Sequence, residues 1–114
     1  MKILVVEDDA NLRDALTELL EADGHSAASA SNGAEGLEKV RAGAFDLVIT
    51  DLKMPVMNGD VLAAEIDKAW PGKRVIMLTG HADLMRDDHP PGVSTILSKP
   101  PTLDSIRRAV NDAK

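Results

Sequence analysis

Polar residues able to do chemistry stand at the ends of four apolar runs. The run 3–6 opens into Glu7-Asp8-Asp9, and the run 45–49 into Thr50-Asp51. The run 75–78 ends in Thr79-Gly80, and the run 93–97 in Ser98-Lys99-Pro100. Brought to one rim, Glu7, Asp8 and Asp51 repel: at ~4 Å and an effective dielectric near 20, each pair costs about 4 kcal/mol. Such a cluster needs a cation, a lysine or protons. Lys99 can supply one positive charge, and the remainder suits a hard divalent ion. Mg²⁺ fits best, with Mn²⁺ as a substitute, because it takes few carboxylates and keeps water and phosphate oxygens as its other ligands. A carboxylate, a lysine and the Thr79 hydroxyl are then a set of parts for phosphoryl transfer: nucleophile, charge clamp and donor. Each residue also has a plainer role. Acidic residues favour the first turn of a helix, and for Asp9 alone that is the role expected. Lys-Pro marks a loop, and Thr at a strand end is common. Only the joint placement singles out the set.

Placing them on one rim needs a particular fold. Apolar runs at 2–6, 45–50, 74–78 and 93–97 read as strands, three of them nearly continuous, as in strands covered on both faces of a parallel sheet. A weaker run at 25–30 is rich in Ala and Ser. Between the runs lie helical patterns. Leu12, Ala15, Leu16, Leu19 and Leu20 share one helix face, and Gly24 suits its C-terminal end. Ser31 or Asn32 can cap a second helix to about Arg41, closed by Gly43. Asn58-Gly59 opens a third, stopped by Pro71-Gly72. A fourth segment at 82–88 runs into His89-Pro90-Pro91-Gly92, so a short or irregular helix is expected. Leu103, Ile106 and Val110 mark a last helix.

The pattern is α/β, a flavodoxin-like (βα)5 doubly wound sandwich around a five-stranded parallel sheet. The order 2-1-3-4-5 puts the most apolar strands in the middle and the weaker second and fifth at the edges. In such sheets ligands bind beyond the C-terminal strand ends, where the strand order reverses. Those ends carry Glu7, Asp8, Asp51, Thr79 and Lys99.

The 114 residues are expected to form one domain, 1–114. A net charge of −6 argues against direct binding of nucleic acid or an anionic membrane. The absence of cysteine excludes disulfides and zinc–cysteine sites. No run approaches the ~20 apolar residues of a membrane span, and with residues 1–6 already reading as a strand no signal peptide is expected. A cytoplasmic chain is the expectation. The aromatics are Phe45 and Trp70 alone, so the core must be aliphatic. Trp70 is expected at the far end of the third helix from Asp51, and Arg107-Arg108 on a solvated helix face. His25, His81 and His89 lack metal-ligand spacing.

The motifs resemble the response-regulator receiver domain of two-component signalling, similar to the chemotaxis receiver. The resemblance covers essentially the whole chain. Its residues are Ile3-Leu4-Val5-Val6-Glu7-Asp8-Asp9, Asp46-Leu47-Val48-Ile49-Thr50-Asp51-Leu52-Lys53-Met54-Pro55, Met57-Asn58-Gly59, Ile76-Met77-Leu78-Thr79-Gly80 and Leu97-Ser98-Lys99-Pro100. It implies that Asp51 is the phosphoacceptor, taking its phosphoryl group from a phosphohistidine of a histidine kinase or histidine phosphotransfer protein. It implies that Glu7, Asp8, Asp51 and the Lys53 backbone carbonyl hold Mg²⁺, that Thr79 donates to the phosphoryl group, and that Lys99 pairs with it. The bond to Pro100 is often cis in this family. Such a chain catalyses its own phosphorylation and slow dephosphorylation without being a conventional enzyme. Its product is a changed surface for a downstream protein target, on a monomer or weak dimer.

Two departures stand out. The family often carries an aromatic switch residue where this chain has Ile96, and Phe after Lys-Pro where it has Pro101. The usual output face, built from the fourth helical segment, the fifth strand and the last helix, is therefore altered, and movement is expected instead in 81–92. Other functions fit less well. A degenerate receiver serving only as an interaction module would not need the complete set Glu7, Asp8, Asp51, Thr79 and Lys99. An Asp-nucleophile phosphohydrolase of the haloacid-dehalogenase type wants Asp-x-Asp after its first strand. A flavodoxin wants a Ser/Thr/Gly-rich loop there, where this chain is acidic.

Overall fold

The computed structural model describes residues 1–80 and 90–113. Its elements in chain order are β1 (Lys2–Val6), α1 (Ala10–Ala22), β2 (Ser26–Ala30), α2 (Gly33–Ala42), β3 (Leu47–Asp51), α3 (Gly59–Ala69), β4 (Arg74–Thr79), β5 (Thr95–Ser98) and α4 (Leu103–Asp112). All neighbouring strands pair in parallel, in the order β2-β1-β3-β4-β5. This is the flavodoxin-like order expected from strand hydrophobicity. The expected fourth helical segment at 82–88, with His81 and His89, lies outside the described residues.

The continuous apolar strands are explained by two cores, one on each face. Side chains alternate across a strand. Ile3, Val5, Leu47, Ile49, Ile76 and Leu78 pack with Leu16 and Leu20 of α1 and with Ile106 and Val110 of α4. Leu4, Val6, Val48, Val75 and Met77 pack on the other face with Val40 of α2 and Leu62, Ala63 and Ile66 of α3. A central strand with both faces covered leaves no place for a polar residue until it ends. Ile96 belongs to the α2/α3 side of the sheet, and Leu97 to the α1/α4 side.

Helix ends follow local chemistry. The Asp9 carboxylate accepts from the backbone N–H of Asn11 and Leu12, at 2.9 and 3.4 Å. Its plainer role, capping α1, is the observed one. Of the two candidates at α2, Asn32 is the N-cap, accepting from Glu35 N–H; the Ser31 hydroxyl donates to the Glu35 carboxylate instead. Thr102 and Ser105 form a reciprocal capping box on α4.

Strand boundaries move from the sequence reading in four of the five strands, by one or two residues. Phe45 and Asp46 precede β3, and Asp46 meets Lys2 of β1 with both its backbone and its side chain: its N–H donates to the Lys2 carbonyl and its carboxylate accepts from Lys2 N–H, each at 2.8 Å. Val93 and Ser94 precede β5; Val93 N–H donates to the Pro90 carbonyl, and the Ser94 hydroxyl accepts from Val75 N–H. β4 runs one residue further, to Thr79.

Candidate functional site

The site is assembled by strand ends. β1 delivers Glu7 just past its last residue, β3 ends on Asp51, β4 ends on Thr79, and Lys99 follows β5. Register aligns them: Asp51 pairs with Leu78, and Thr79 with Ser98. The Lys99 N–H donates to the Thr79 carbonyl at 2.9 Å, and the Lys99–Pro100 bond is cis. Asp51, Leu52, Lys53, Thr79, Gly80 and Lys99 line an open cleft of about 200 Å³. Among the described residues, nothing lies within 4 Å of a Cβ built at Gly80. Trp70 closes the opposite end of α3.

The expected rim exists. Glu7, Asp8 and Asp51 each place a carboxylate oxygen within 4.8 Å of the others. Glu7 is 1 % exposed, Asp51 6 % and Thr79 3 %, whereas Asp8 and Lys53 are exposed. Lys99 Nζ lies 3.0 Å from Asp51 Oδ2 and 3.4 Å from Glu7 Oε1. One ammonium thus faces two carboxylates. The remaining Asp51 oxygen, Oδ1, accepts from Leu52 N–H at 2.9 Å.

The charge balance shows in the acidities. Burial, and next the charge of Asp51, raise the Glu7 carboxyl from 4.5 to about 7, with Lys99 pulling it back. When protonated, Glu7 can donate to the Asp51 carboxylate, a further reason for the rise. When ionised it leaves Oε2 buried with no hydrogen-bond partner among the described residues, an arrangement that proteins ordinarily avoid. Partial burial works against the Lys99 ammonium, but hydrogen bonds and charge from Asp51 and Glu7 outweigh it and raise its pKa.

This chemistry fits a hard divalent cation. Clustered oxygens, one of them buried without a donor among the described residues, match the carboxylate and water coordination that Mg²⁺ prefers. No other group of three or more potential ligands is found among the described residues.

The chain matches the family described as the response regulator receiver domain over residues 3–111. It belongs to that family. This receiver is similar to the transcriptional regulatory protein GlrR of Escherichia coli (strain K12), with 40 % identity over 113 residues, covering 97 % of this chain and 26 % of GlrR. It is similar to sporulation initiation phosphotransferase F of Bacillus subtilis (strain 168), with 33 % identity over 111 residues, covering 96 % of this chain and 90 % of that protein. Among solved structures it resembles the response regulator protein TrrA of Thermotoga maritima in complex with Mg²⁺-BeF. That likeness has a TM-score of 0.91 and 33 % identity and covers 99 % of this chain and 98 % of TrrA. The chain spans about a quarter of the length of GlrR and nearly the whole of phosphotransferase F. It is a receiver domain of two-component systems, a family in which phosphorylation and Mg²⁺ are general.

Some supporting residues carried little sequence signal. The Arg13 guanidinium donates to the Glu7 carbonyl at 2.9 Å and holds the acidic loop from the first turns of α1. The Thr50 hydroxyl donates to the Asp51 carbonyl at 2.9 Å. Gly59 lies against that carbonyl so closely that a Cβ would overlap its oxygen. Only Gly59 had a signal, the Asn-Gly pair, and it pointed to a helix start. Asn58 does not cap α3 with its side chain; its Oδ1 accepts from Met54 N–H within the loop. Arg107 is exposed, on the solvated face expected of it. It makes a two-pronged ion pair with Asp23, at 2.9 and 3.2 Å, that ties α4 to the end of α1. Arg108 is exposed.

Proposed function

We propose that this receiver accepts a phosphoryl group on Asp51 from a phosphohistidine of a histidine kinase or histidine phosphotransfer protein. The observation that carries the reading is the setting of Asp51. It is nearly buried at a cleft wall, 3.0 Å from Lys99 Nζ, with oxygens of Glu7 and Asp8 beside it. In the transfer an Asp51 carboxylate oxygen forms a bond to phosphorus. The phosphorus–nitrogen bond of the phosphohistidine breaks, and the imidazole nitrogen keeps the electron pair.

The chain's residues divide the work. Leu52 N–H and Lys99 orient the two Asp51 oxygens before transfer. Lys99 and the Thr79 hydroxyl then meet the phosphoryl oxygens, where preorganised donors act on charge already in place. Glu7, Asp8, Asp51 and the Lys53 carbonyl would hold Mg²⁺, or Mn²⁺, which when bound compensates the charge of carboxylates and phosphoryl group together. The new charge and acceptor oxygens bias the surface offered to a downstream protein. No helix among the described residues is long and apolar enough to cross a membrane, and a cytoplasmic location is part of this reading.

Incubation with phosphoramidate and Mg²⁺, and with autophosphorylated histidine kinases, tests it by intact mass. The expected result is one added phosphoryl group, absent in Asp51→Asn. No labelling from any phosphohistidine protein, together with no Mg²⁺ binding, would overturn it.

A further inference from the structure

The loop between β3 and α3 holds a residue that its own backbone disfavours. Val56 has φ +71°, and among the described residues it alone has a positive φ without being glycine. Met57 N–H donates to the Pro55 carbonyl at 2.8 Å, closing a γ-turn with Val56 at its centre. The positive-φ γ-turn is the rare, strained form, and for a β-branched residue this region is a genuine outlier. Strain of this kind persists where the surroundings impose it. Here both shoulders of the loop are pinned. Gly59 N–H donates to the Leu52 carbonyl at 2.7 Å, and Met54 N–H to Asn58 Oδ1 at 3.1 Å. Met54 is buried and Met57 packs against the α2/α3 core. The tip must turn sharply, and glycine would do so without strain.

The Val56 side chain gains nothing from the fold in return, for the residue is 82 % exposed. A strained, exposed aliphatic residue makes sense if its contact lies in another molecule. Position says which. Gly59 touches the Asp51 carbonyl, and Val56 is three residues away, at most ~11 Å along the chain. A standard interface covers about 800 Å² per partner, a disc of roughly 16 Å radius. A footprint of that size centred on Asp51 spans the distance to Val56.

We infer that Val56 is a specificity contact for the phosphodonor protein, meeting an aliphatic side chain that the donor presents beside its phosphohistidine. The inference rests on the acceptor reading of Asp51. The test compares two donors on wild type, Val56→Gly, Val56→Asn and Val56→Ile. One donor is phosphoramidate with Mg²⁺. The other is an autophosphorylated histidine kinase selected from a panel because it labels the wild-type chain. Val56→Gly and Val56→Asn are expected to keep a melting temperature no lower than wild type and phosphoramidate labelling within about twofold. Their kcat/KM for transfer from the kinase should fall about tenfold or more, as loss of one buried Val contact implies. Val56→Ile should restore it. Transfer from the kinase at the wild-type rate in Val56→Gly would overturn the inference, as would an equal loss with both donors. If neither donor labels the wild-type chain, the acceptor reading itself falls and the role of Val56 with it.

Discussion

Glu7 offers the sharpest test of the acidic cluster, because its carboxyl couples stability, protons and the cation. The perturbation is Glu7→Gln, which keeps the shape and removes the charge. In the folded chain the Glu7 pKa stands at about 7 against 4.5 when unperturbed. Between those values the folded chain holds a proton that the unfolded chain has released. Stability therefore falls as pH rises across this window, and the full cost is present above about pH 7. At about 1.4 kcal/mol per pH unit, that cost is at most about 3 kcal/mol. Mg²⁺ binding needs the ionised carboxylate and so expels the proton. Its apparent affinity should then weaken as pH drops below about 7. The assay is urea unfolding of wild type and Glu7→Gln from about pH 5 to about pH 8, with and without Mg²⁺. The difference between the two proteins isolates Glu7, since the histidines are common to both. Glu7→Gln should be the more stable at pH 8 without Mg²⁺, and saturating Mg²⁺ should remove that advantage. A difference that stays flat from pH 5 to pH 8 would refute the reasoning.

Two further outcomes follow from the same site. Gly59→Ala forces a methyl into the Asp51 carbonyl oxygen; it should cost about 1–3 kcal/mol in urea unfolding and slow phosphoramidate labelling by moving Asp51. Unchanged labelling would show that the contact does not position the acceptor. Lys99→Met keeps the apolar stem but leaves Asp51 and Glu7 without their shared ammonium. Labelling should slow at least tenfold while Mg²⁺ titration still saturates, because every oxygen ligand remains. Labelling at the wild-type rate would remove Lys99 from the transfer step.

The strand order was legible because hydrophobicity reports burial. Ile3-Leu4-Val5-Val6 and Val75-Ile76-Met77-Leu78 are apolar at every position only because helices cover both faces of β1 and β4. The polar residues had to wait for the strand ends, so Glu7, Asp51, Thr79 and Lys99 were visible together once the order was. The capping role of Asp9 was legible for the same local reason, as it satisfies N–H groups two and three residues away. Exact strand starts were not, because side chains such as Asp46 and Ser94 also bond backbone N–H groups of the neighbouring strand just where the ladder begins.

The amino-acid order by itself determined the α/β alternation, the aliphatic two-sided core and the residue types at the rim, since each depends on periodicity and local hydrogen bonding. Tertiary structure alone decided how the charges settle. Lys99 lies 92 residues from Glu7 in sequence yet 3.4 Å from it in space, and Oε2 of Glu7 is buried, with no partner among the described residues, only because that packing excludes water. The same holds for Arg13 on the Glu7 carbonyl, Gly59 on the Asp51 carbonyl and the inverted backbone of Val56. Distances and φ angles are set by how distant elements pack, and no local pattern of residues encodes them.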